Sequence, residues 1–395
     1  MGEEPPCDSP IDYCDPPPFA VEAQGQSLTF YPSGADRRAA LLEIVAAARA
    51  TLDICFYIFA EDAVSTALRD ALVEAARRGV AVTLIVDRFG ASVTDAFLAP
   101  LVEAGGRTFF FSPRWGFRYL IRNHQKMVIA DGCCALFGGF NIADDYFAAP
   151  EENGWNDLAI RIEGGAVAGL ADWFALLVGW TDQKHAPFRA IHRTVQSWEW
   201  RSDDGKLRWL VGGPSRGLSS WARCVTRDLI DGDRLDMFMA YFSPPFSLLQ
   251  RIARVAGKGH TRLLMAAKSD NGATLGATRS LYKYLLRRGA KIWEFTPCKL
   301  HTKLLVLDDA TYMGSANFDM RSLYLNLEIM FRVEDAALAE IMRGYVTRHI
   351  AASEAITPEV HQKRATLWNR LRWRLGWLLV SVIDYTVTRR LNLGI

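Results

Sequence analysis

The chain has 395 residues, half of them apolar, and its 46 Lys and Arg nearly balance 44 Asp and Glu, leaving a formal charge of +2. That apolar share excludes a disordered chain, the length suits two packed domains, and the small net charge excludes wholesale wrapping of nucleic acid. Any affinity for anionic partners has to come from local clusters.

Residues 1–19 are acidic and proline-rich, with no basic region followed by an apolar one, so no secretory signal is expected and residues 1–25 read as a disordered or extended segment. A first domain spans 26–182. Within it, residues 51–59 (TLDICFYIF) form a strand-like run, 63–78 have helical periodicity and stop at Gly79, and 80–87 (VAVTLIVD) form a second buried strand. A helix ending near Gly105, a strand over 107–111 and a hairpin of 126–130 with 135–140, turning at Asp131 and Gly132, complete the order. Residues 183–205 are polar and irregular, as a crossover linker would be. The second domain, 206–352, repeats the sequence of elements: strands over 234–242, 261–267 and 291–295, helices ending near Gly257 and at Gly289, and a hairpin of 303–307 with 311–314 turning at Asp308 and Asp309. Tyr57 and Tyr241, Gly79 and Gly259, and His124 and His301 each lie about 180 residues apart, so one unit is duplicated. Strands alternating with helices predict an α/β fold, here two mixed-sheet α/β/α halves related by a pseudo-twofold axis.

The tail, 353–395, changes character. Lys363, Arg364, Arg370, Arg372, Arg374, Arg389 and Arg390 stand beside Trp368, Trp373, Trp377 and the apolar run 378–383, a basic amphipathic segment suited to an anionic membrane surface or, more plainly, to packing on the domain. No run of about 18 uninterrupted apolar residues exists, so no spanning helix is expected. The cysteines (Cys7, Cys14, Cys55, Cys133, Cys134, Cys224, Cys298) are odd in number and lie mostly in apolar runs, which favours thiols in a reducing compartment. The expected location is cytoplasmic, or peripheral at the cytoplasmic face of the cell membrane.

The chemistry is carried by a repeated motif. The first copy is His124, Lys126, Asp131, Gly138, Gly139 and Asn141; the second is His301, Lys303, Asp308, Gly314, Ser315 and Asn317. Five fixed residues recur by chance with odds on the order of one in ten thousand, so two copies at matching points of a duplication are not accidental. On an extended strand His124 and Lys126 face the same way, as do His301 and Lys303, so each half offers an imidazole beside an ammonium. The Gly-Gly or Gly-Ser pair leaves room for an oxyanion, with Gly139 and Ser315 at the phosphate, and Asn141 and Asn317 add amide donors. Brought together, two Lys, two Asn and two His surround one phosphate. That suits metal-free, cofactor-free phosphoryl transfer: one His attacks phosphorus to give a phosphohistidine, and its protonated partner serves the leaving and entering alcohols. The pair titrates as a unit, with a bell-shaped pH dependence. Asp157 and Glu328, at similar distances downstream, are expected to orient the histidine of their own half. Asp131 and Asp308 stand in the motif as catalytic candidates, although their place at hairpin turns fits backbone bonding equally.

These motifs resemble the phospholipase D superfamily over residues 26–353, and GGFNIADDY and NFDMRSLYLNLEI resemble bacterial cardiolipin synthases. The resemblance implies a duplicated phospholipase D-like fold, His124 as nucleophile, His301 as acid/base and phosphatidylglycerol as substrate, with cardiolipin as product. A phospholipase D-type hydrolase or nuclease keeps the chemistry and changes the substrate; a lipid-binding scaffold is a rival of another class. The second motif has five residues between Asp308 and Gly314 where the first has six between Asp131 and Gly138, which a tighter hairpin absorbs.

Gly213, Ser215 and Gly217 match a serine-hydrolase elbow, but Ser33 stands at the matching point of the first half, so Ser215 reads as a helix cap. Lys is no ordinary ligand and no paired Cys or His spacing occurs, so no metal is expected. Arg114, Arg118 and Arg122 mix with aromatics just before His124 and form a candidate headgroup rim, a mixture that also suits a nucleic-acid backbone, although nucleic acid is not the expected partner. No obligate protein partner is evident.

Overall fold

In the computed structural model of the chain, the structure describes residues 13–112, 121–182, 188–215 and 217–380. The first sheet has the strand order Phe19–Ala23, Gln26–Tyr31, Ala159–Glu163, Cys134–Gly138, Met127–Ala130, Thr51–Phe56, Ala81–Asp87, Arg107–Phe111. The second repeats it with Glu199–Arg201, Leu207–Gly212, Glu328–Glu334, Ala310–Gly314, Lys303–Leu307, Leu235–Met239, Thr261–Ala266, Lys291–Phe295, and adds Ser353–Ala355 at its far edge. Both sheets are mixed. Thr51–Phe56 runs parallel to Ala81–Asp87 and antiparallel to Met127–Ala130, and Leu235–Met239 stands in the same relation to Thr261–Ala266 and Lys303–Leu307. The near-continuous apolar runs at 82–86 and 304–307 are what strands covered on both faces require.

Helices cover the outer faces. Gly34–Ala47, Ala63–Arg77 and Asp95–Glu103 bury Leu41, Ile44, Leu68, Leu72 and Leu98 on the first sheet. Ser220–Asp231, Phe246–Gly257 and Gly272–Leu286 do the same on the second. The inner faces share one core with helices Ala166–Asp182 and Ala336–Ala351, where Trp209 packs on Phe137 and Phe331 and donates its indole N–H to Ala166 O at 2.8 Å. The duplicated unit thus folds as two α/β/α halves face to face. At the seam, Asn123 bridges Leu327, while Lys299 and Leu300 pair in parallel with Trp155 and Asn156. The strand leading into each His is stitched to the segment leading into the other half's carboxylate.

Several local expectations differ from what the structure holds. The stretch read as an irregular crossover contains helix Phe188–Ser197, which buries Ile191 and Val195 one turn apart. The cap of helix Ser220–Asp231 is Ser219, which accepts from Ala222 N, whereas Ser215 donates to Gly217 O within its own loop. Cys55, Cys224 and Cys298 are buried thiols, but Cys14 is disulfide-bonded, so thiols throughout was too simple an expectation. The tail continues the fold as strand Ser353–Ala355 and helices Pro358–Arg364 and Leu367–Trp377; Arg389 and Arg390 lie outside the described residues. The one-residue difference between the motifs falls in the hairpins, which close Ala130 on Cys134 in the first half and Leu307 on Ala310 in the second.

Candidate active site

His124 and His301 each stand just before a hairpin strand, Met127–Ala130 and Lys303–Leu307. Their backbones are tied across the seam: His124 N donates to Leu327 O at 2.9 Å, and His301 N donates to Asn156 O at 2.8 Å. The residues after those two carbonyls are Glu328 and Asp157. His124 Nδ1 therefore meets Glu328 Oε2 at 3.1 Å and His301 Nδ1 meets Asp157 Oδ2 at 2.7 Å. The expected pairing within each half is corrected: each carboxylate holds the histidine of the opposite half. A strand that bonds its own hairpin neighbour spends its ladder there, and only the seam brings the carboxylates behind the imidazoles. With Nδ1 engaged, Nε2 is the nitrogen left for a substrate.

Lys126 and Lys303 are buried, and each ammonium donates to the backbone carbonyl of the histidine two residues earlier. Burial pulls the Lys126 ammonium down to about 7, with Lys303 adding to the fall and Glu328 opposing it; burial likewise takes Lys303 down to about 8 against the pull of Asp157 and Glu328. Burial first, then the ammoniums of Lys126 and Lys303, holds His124 well below its usual range; burial and Lys303 take His301 down to about 3 although Asp157 pulls upward. Each imidazole thus feels both ammoniums, so the four groups converge on one spot. Burial raises Glu328 to about 7, whereas Asp157 lies below its usual range because His301, Lys303 and Arg37 outweigh its burial. With Lys126 and Glu328 both poised near 7, an anion arriving among these groups favours charged lysines and a neutral Glu328, so the centre is suited to one phosphate.

The other motif residues divide. Asn141 Oδ1 accepts from Ile58 N at 3.1 Å, and its buried Nδ2 lies beside the Tyr146 hydroxyl with no hydrogen bond of normal geometry among the described residues, as an amide donor open to an anion would be; in Asn317 the corresponding buried atom is Oδ1. Ser315 is corrected: its hydroxyl donates to Glu328 Oε2 at 2.5 Å and accepts from Ile329 N at 3.0 Å, so it positions a carboxylate and has no capacity left for phosphate. Gly139 is corrected with it, since a Cβ there would stand 2.5 Å from Asp157 Oδ1, and the space it leaves is filled by that carboxylate. Asp131 and Asp308 occupy the backbone-bonding place that their turns allowed. Asp131 accepts the N–H groups of Arg49, Ala50 and Thr51, and Asp308 those of Asp233 and Arg234, both at positive φ in the turns. Each is one strand length, roughly 16 Å, from the lysine of its motif.

Residues the motif reading missed complete the walls. Tyr57 lies 4.8 Å from the His124 ring; Tyr146 and Trp155 lie 5.1 and 5.4 Å from the His301 ring, and Tyr241 6.4 Å. Arg37, fully buried, donates to the carbonyls of Pro32, Tyr146, Trp155 and Asp157, fixing the loop that presents Asp157. Only the pairing of Tyr57 with Tyr241 in the duplication could have pointed to any of them. Arg122 stacks over Phe89 at 4.2 Å beside Tyr57, at the edge of the site. Arg114 and Arg118 lie outside the described residues.

Two facing α/β halves that pool one His-Lys pair each define the phospholipase D class of fold and site. The chain matches the family described as "Cardiolipin synthase, PLD-like domain" over residues 41–170 and 227–350, and it belongs to that family of enzymes. It is 29% identical to the major cardiolipin synthase ClsA of Bacillus subtilis over 92% of this chain and 77% of that protein, and 28% identical to a cardiolipin synthase of Listeria monocytogenes with the same coverage. In fold it is similar to phosphatidylserine synthase of Haemophilus influenzae (TM-score 0.67, 15% identity, 93% of this chain and 97% of that one).

Proposed function

We propose that the chain is a phospholipid phosphatidyltransferase that makes cardiolipin from phosphatidylglycerol through a phosphohistidine on His124. The reciprocal pairing of each His with the other half's carboxylate, around two buried ammoniums, carries the reading. Nε2 of His124 forms a bond to phosphorus as the P–O bond to the donor's glycerol breaks, and His301, which takes up a proton once the bound phosphate offsets the ammoniums and burial that hold it down, gives that proton to the departing alkoxide. Lys126, Lys303 and the Asn141 amide hold the non-bridging oxygens as their charge grows. The hydroxyl of a second phosphatidylglycerol then loses its proton to His301 and attacks phosphorus, the bond to His124 breaks, and both imidazoles return to their starting forms. No metal enters any step. Family membership and the named relatives support the lipid substrate and the transfer; the basic C-terminal helix supports docking on an anionic membrane surface.

Incubating the protein with phosphatidylglycerol vesicles and resolving products by mass spectrometry tests this. Cardiolipin and free glycerol are expected; phosphatidic acid as the sole lipid product would make the enzyme a hydrolase.

A further inference from the structure

Helix Leu367–Trp377 packs antiparallel along helix Gly272–Leu286, close enough that a Cβ on Gly376 would stand 2.7 Å from Ala273 O. Trp373 is its buried side, stacked 5.5 Å from His361. The opposite side is bare. Leu367 (83%), Leu371 (49%), Leu375 (50%) and Leu378 (40%) are exposed at spacings of three and four residues, with Trp368 (81%) beside them. Among the described residues nothing covers this ridge of large apolar side chains, on a helix already anchored by its other face.

Along one flank of the ridge opens a cleft of about 480 Å³ where these two helices meet helix Pro358–Arg364, lined by Lys283, Arg287, Arg370, Arg374, Arg279 and His361. The basic groups are not equivalent. Arg279 is spent on Glu294, which it grips with bonds of 2.8 and 2.9 Å. Lys283, Arg287, Arg370 and Arg374 form no ion pair among the described residues. Four unpaired cations facing one concavity repel each other unless an anion sits among them, and the exposed ridge beside them is a place for acyl chains.

We infer that this cleft seats the phosphate headgroup of an anionic phospholipid, separate from the reacting phosphate, while that lipid's chains lie along the Leu367, Leu371, Leu375 and Leu378 ridge. The site is distinct from the catalytic centre. The helix Gly272–Leu286 begins beside Asp270, which accepts a 3.0 Å hydrogen bond from Tyr241 near His301, and Lys283 stands about 16 Å further along the helix axis. Because the two helices are antiparallel, Leu375 and Leu378 lie toward the Asp270 end. A lipid held in the cleft would therefore set the ridge in the bilayer with its leading end at the mouth of the active site. This rests on the lipid-substrate reading above, and the test separates the two.

Sedimentation with vesicles of phosphatidylcholine containing phosphatidylglycerol compares wild type, K283A/R287A/R370A, and a control, R38A/R49A/R201A, that removes the same charge from exposed positions elsewhere. Each protein is also assayed on a short-chain, monomeric phosphatidylglycerol and checked by thermal melting. The cleft variant is expected to lose at least about tenfold in vesicle affinity beyond the control, each basic group at a surface adding attraction to anionic lipid, while keeping wild-type turnover of the monomeric substrate. Equal losses in cleft variant and control, or unchanged binding by the cleft variant, would overturn the site. Should the wild type fail to turn over monomeric lipid while the binding pattern holds, the reaction reading falls and the headgroup site stands. A cleft variant that melts early is replaced by R370Q/R374Q, judged by the same two measurements.

Discussion

In one half of the centre, His124 leans on Glu328 at 3.1 Å, keeps 12% of its side chain exposed, and has behind it a carboxyl that burial raises to about 7 and that Ser315 hydrogen-bonds. In the other, His301 is held at 2.7 Å by Asp157, keeps 4% exposed, and faces a carboxylate driven below its usual range by His301, Lys303 and Arg37. The pairs differ in size as well as charge: Ser315 bonds the long acid Glu328, whereas Gly139 leaves room for the short acid Asp157 to come close. A full carboxylate on Nδ1 opposes the burial and the ammoniums that hold His301 down, so once a phosphate anion offsets those ammoniums it stabilises the imidazolium that a proton carrier needs. A carboxyl close to neutral leaves an imidazole that does not hold a proton strongly, as an attacking Nε2 must not. Duplication supplied the symmetry of the site, and its divergence supports a division of labour with His124 as nucleophile and His301 as acid and base.

The sharpest way to break that comparison is to remove each imidazole. H124A and H301A are both expected to lower kcat by about 10⁴-fold or more, since groups acting as a unit fail together. They should differ in what accumulates. Acid-labile phosphohistidine is expected to build up in H301A with a donor whose leaving group needs no proton, and to be absent from H124A. Label trapped on His301 in H124A would exchange the roles.

Next come the carboxylates. D157N is expected to reduce kcat by about 10³-fold at pH 6, because it removes a formed charge from His301 and leaves the wrong tautomer; E328Q is expected to reduce it by only about tenfold there, because Glu328 is already protonated below about 7. Above pH 7 Glu328 ionises and the E328Q deficit should grow. Equal deficits at both pH values would show that the two halves are electrostatically alike. Between these in mechanism and smaller than D157N in effect, G139A should push Asp157 off His301 and cost about 10²-fold in kcat, whereas S315A, which keeps Glu328 in place and removes one bond, should mainly shift the acidic limb of the pH profile.

The contrast also explains what could be read in the sequence. The duplication, the strand-helix alternation and both His-Lys pairs were legible because periodicities of two and 3.6 and the turn residues at Gly79 and Gly259 are local signals. That Asp157 and Glu328 serve the site was legible too, yet their crosswise partners were not, because the exchange depends on Asn123 bridging Leu327 and on Asn156 accepting from His301, contacts more than 140 residues apart in the chain. Arg37 left no trace for the same reason: its partners are backbone carbonyls, which have no sequence identity to match. Asp131 and Asp308 were legible only as a choice between two roles, since a residue fixed in a motif invites a chemical role even where turn geometry asks for the same side chain.

Those two aspartates give the smallest effect, in stability and not in rate. Asp131 gathers three backbone N–H groups and Asp308 two, all near solvent, so D131A is expected to destabilise by about 2 kcal/mol and D308A by about 1 kcal/mol. Neither should change kcat in the folded protein by more than about twofold. For Asp131 the hydrogen bonds from Thr51, Ala50 and Arg49 outweigh burial and depress the carboxyl. A depressed acid contributes stability that is present above the unfolded value, about 3.9, and is lost as pH falls through the lower folded value. Wild type and D131A should therefore converge in melting temperature as pH drops below about 4 and stay apart at neutral pH. A large loss of kcat in D131A at an unchanged melting temperature would return this residue to the chemistry and make the two ends of each hairpin strand, His and Asp, parts of one catalytic unit.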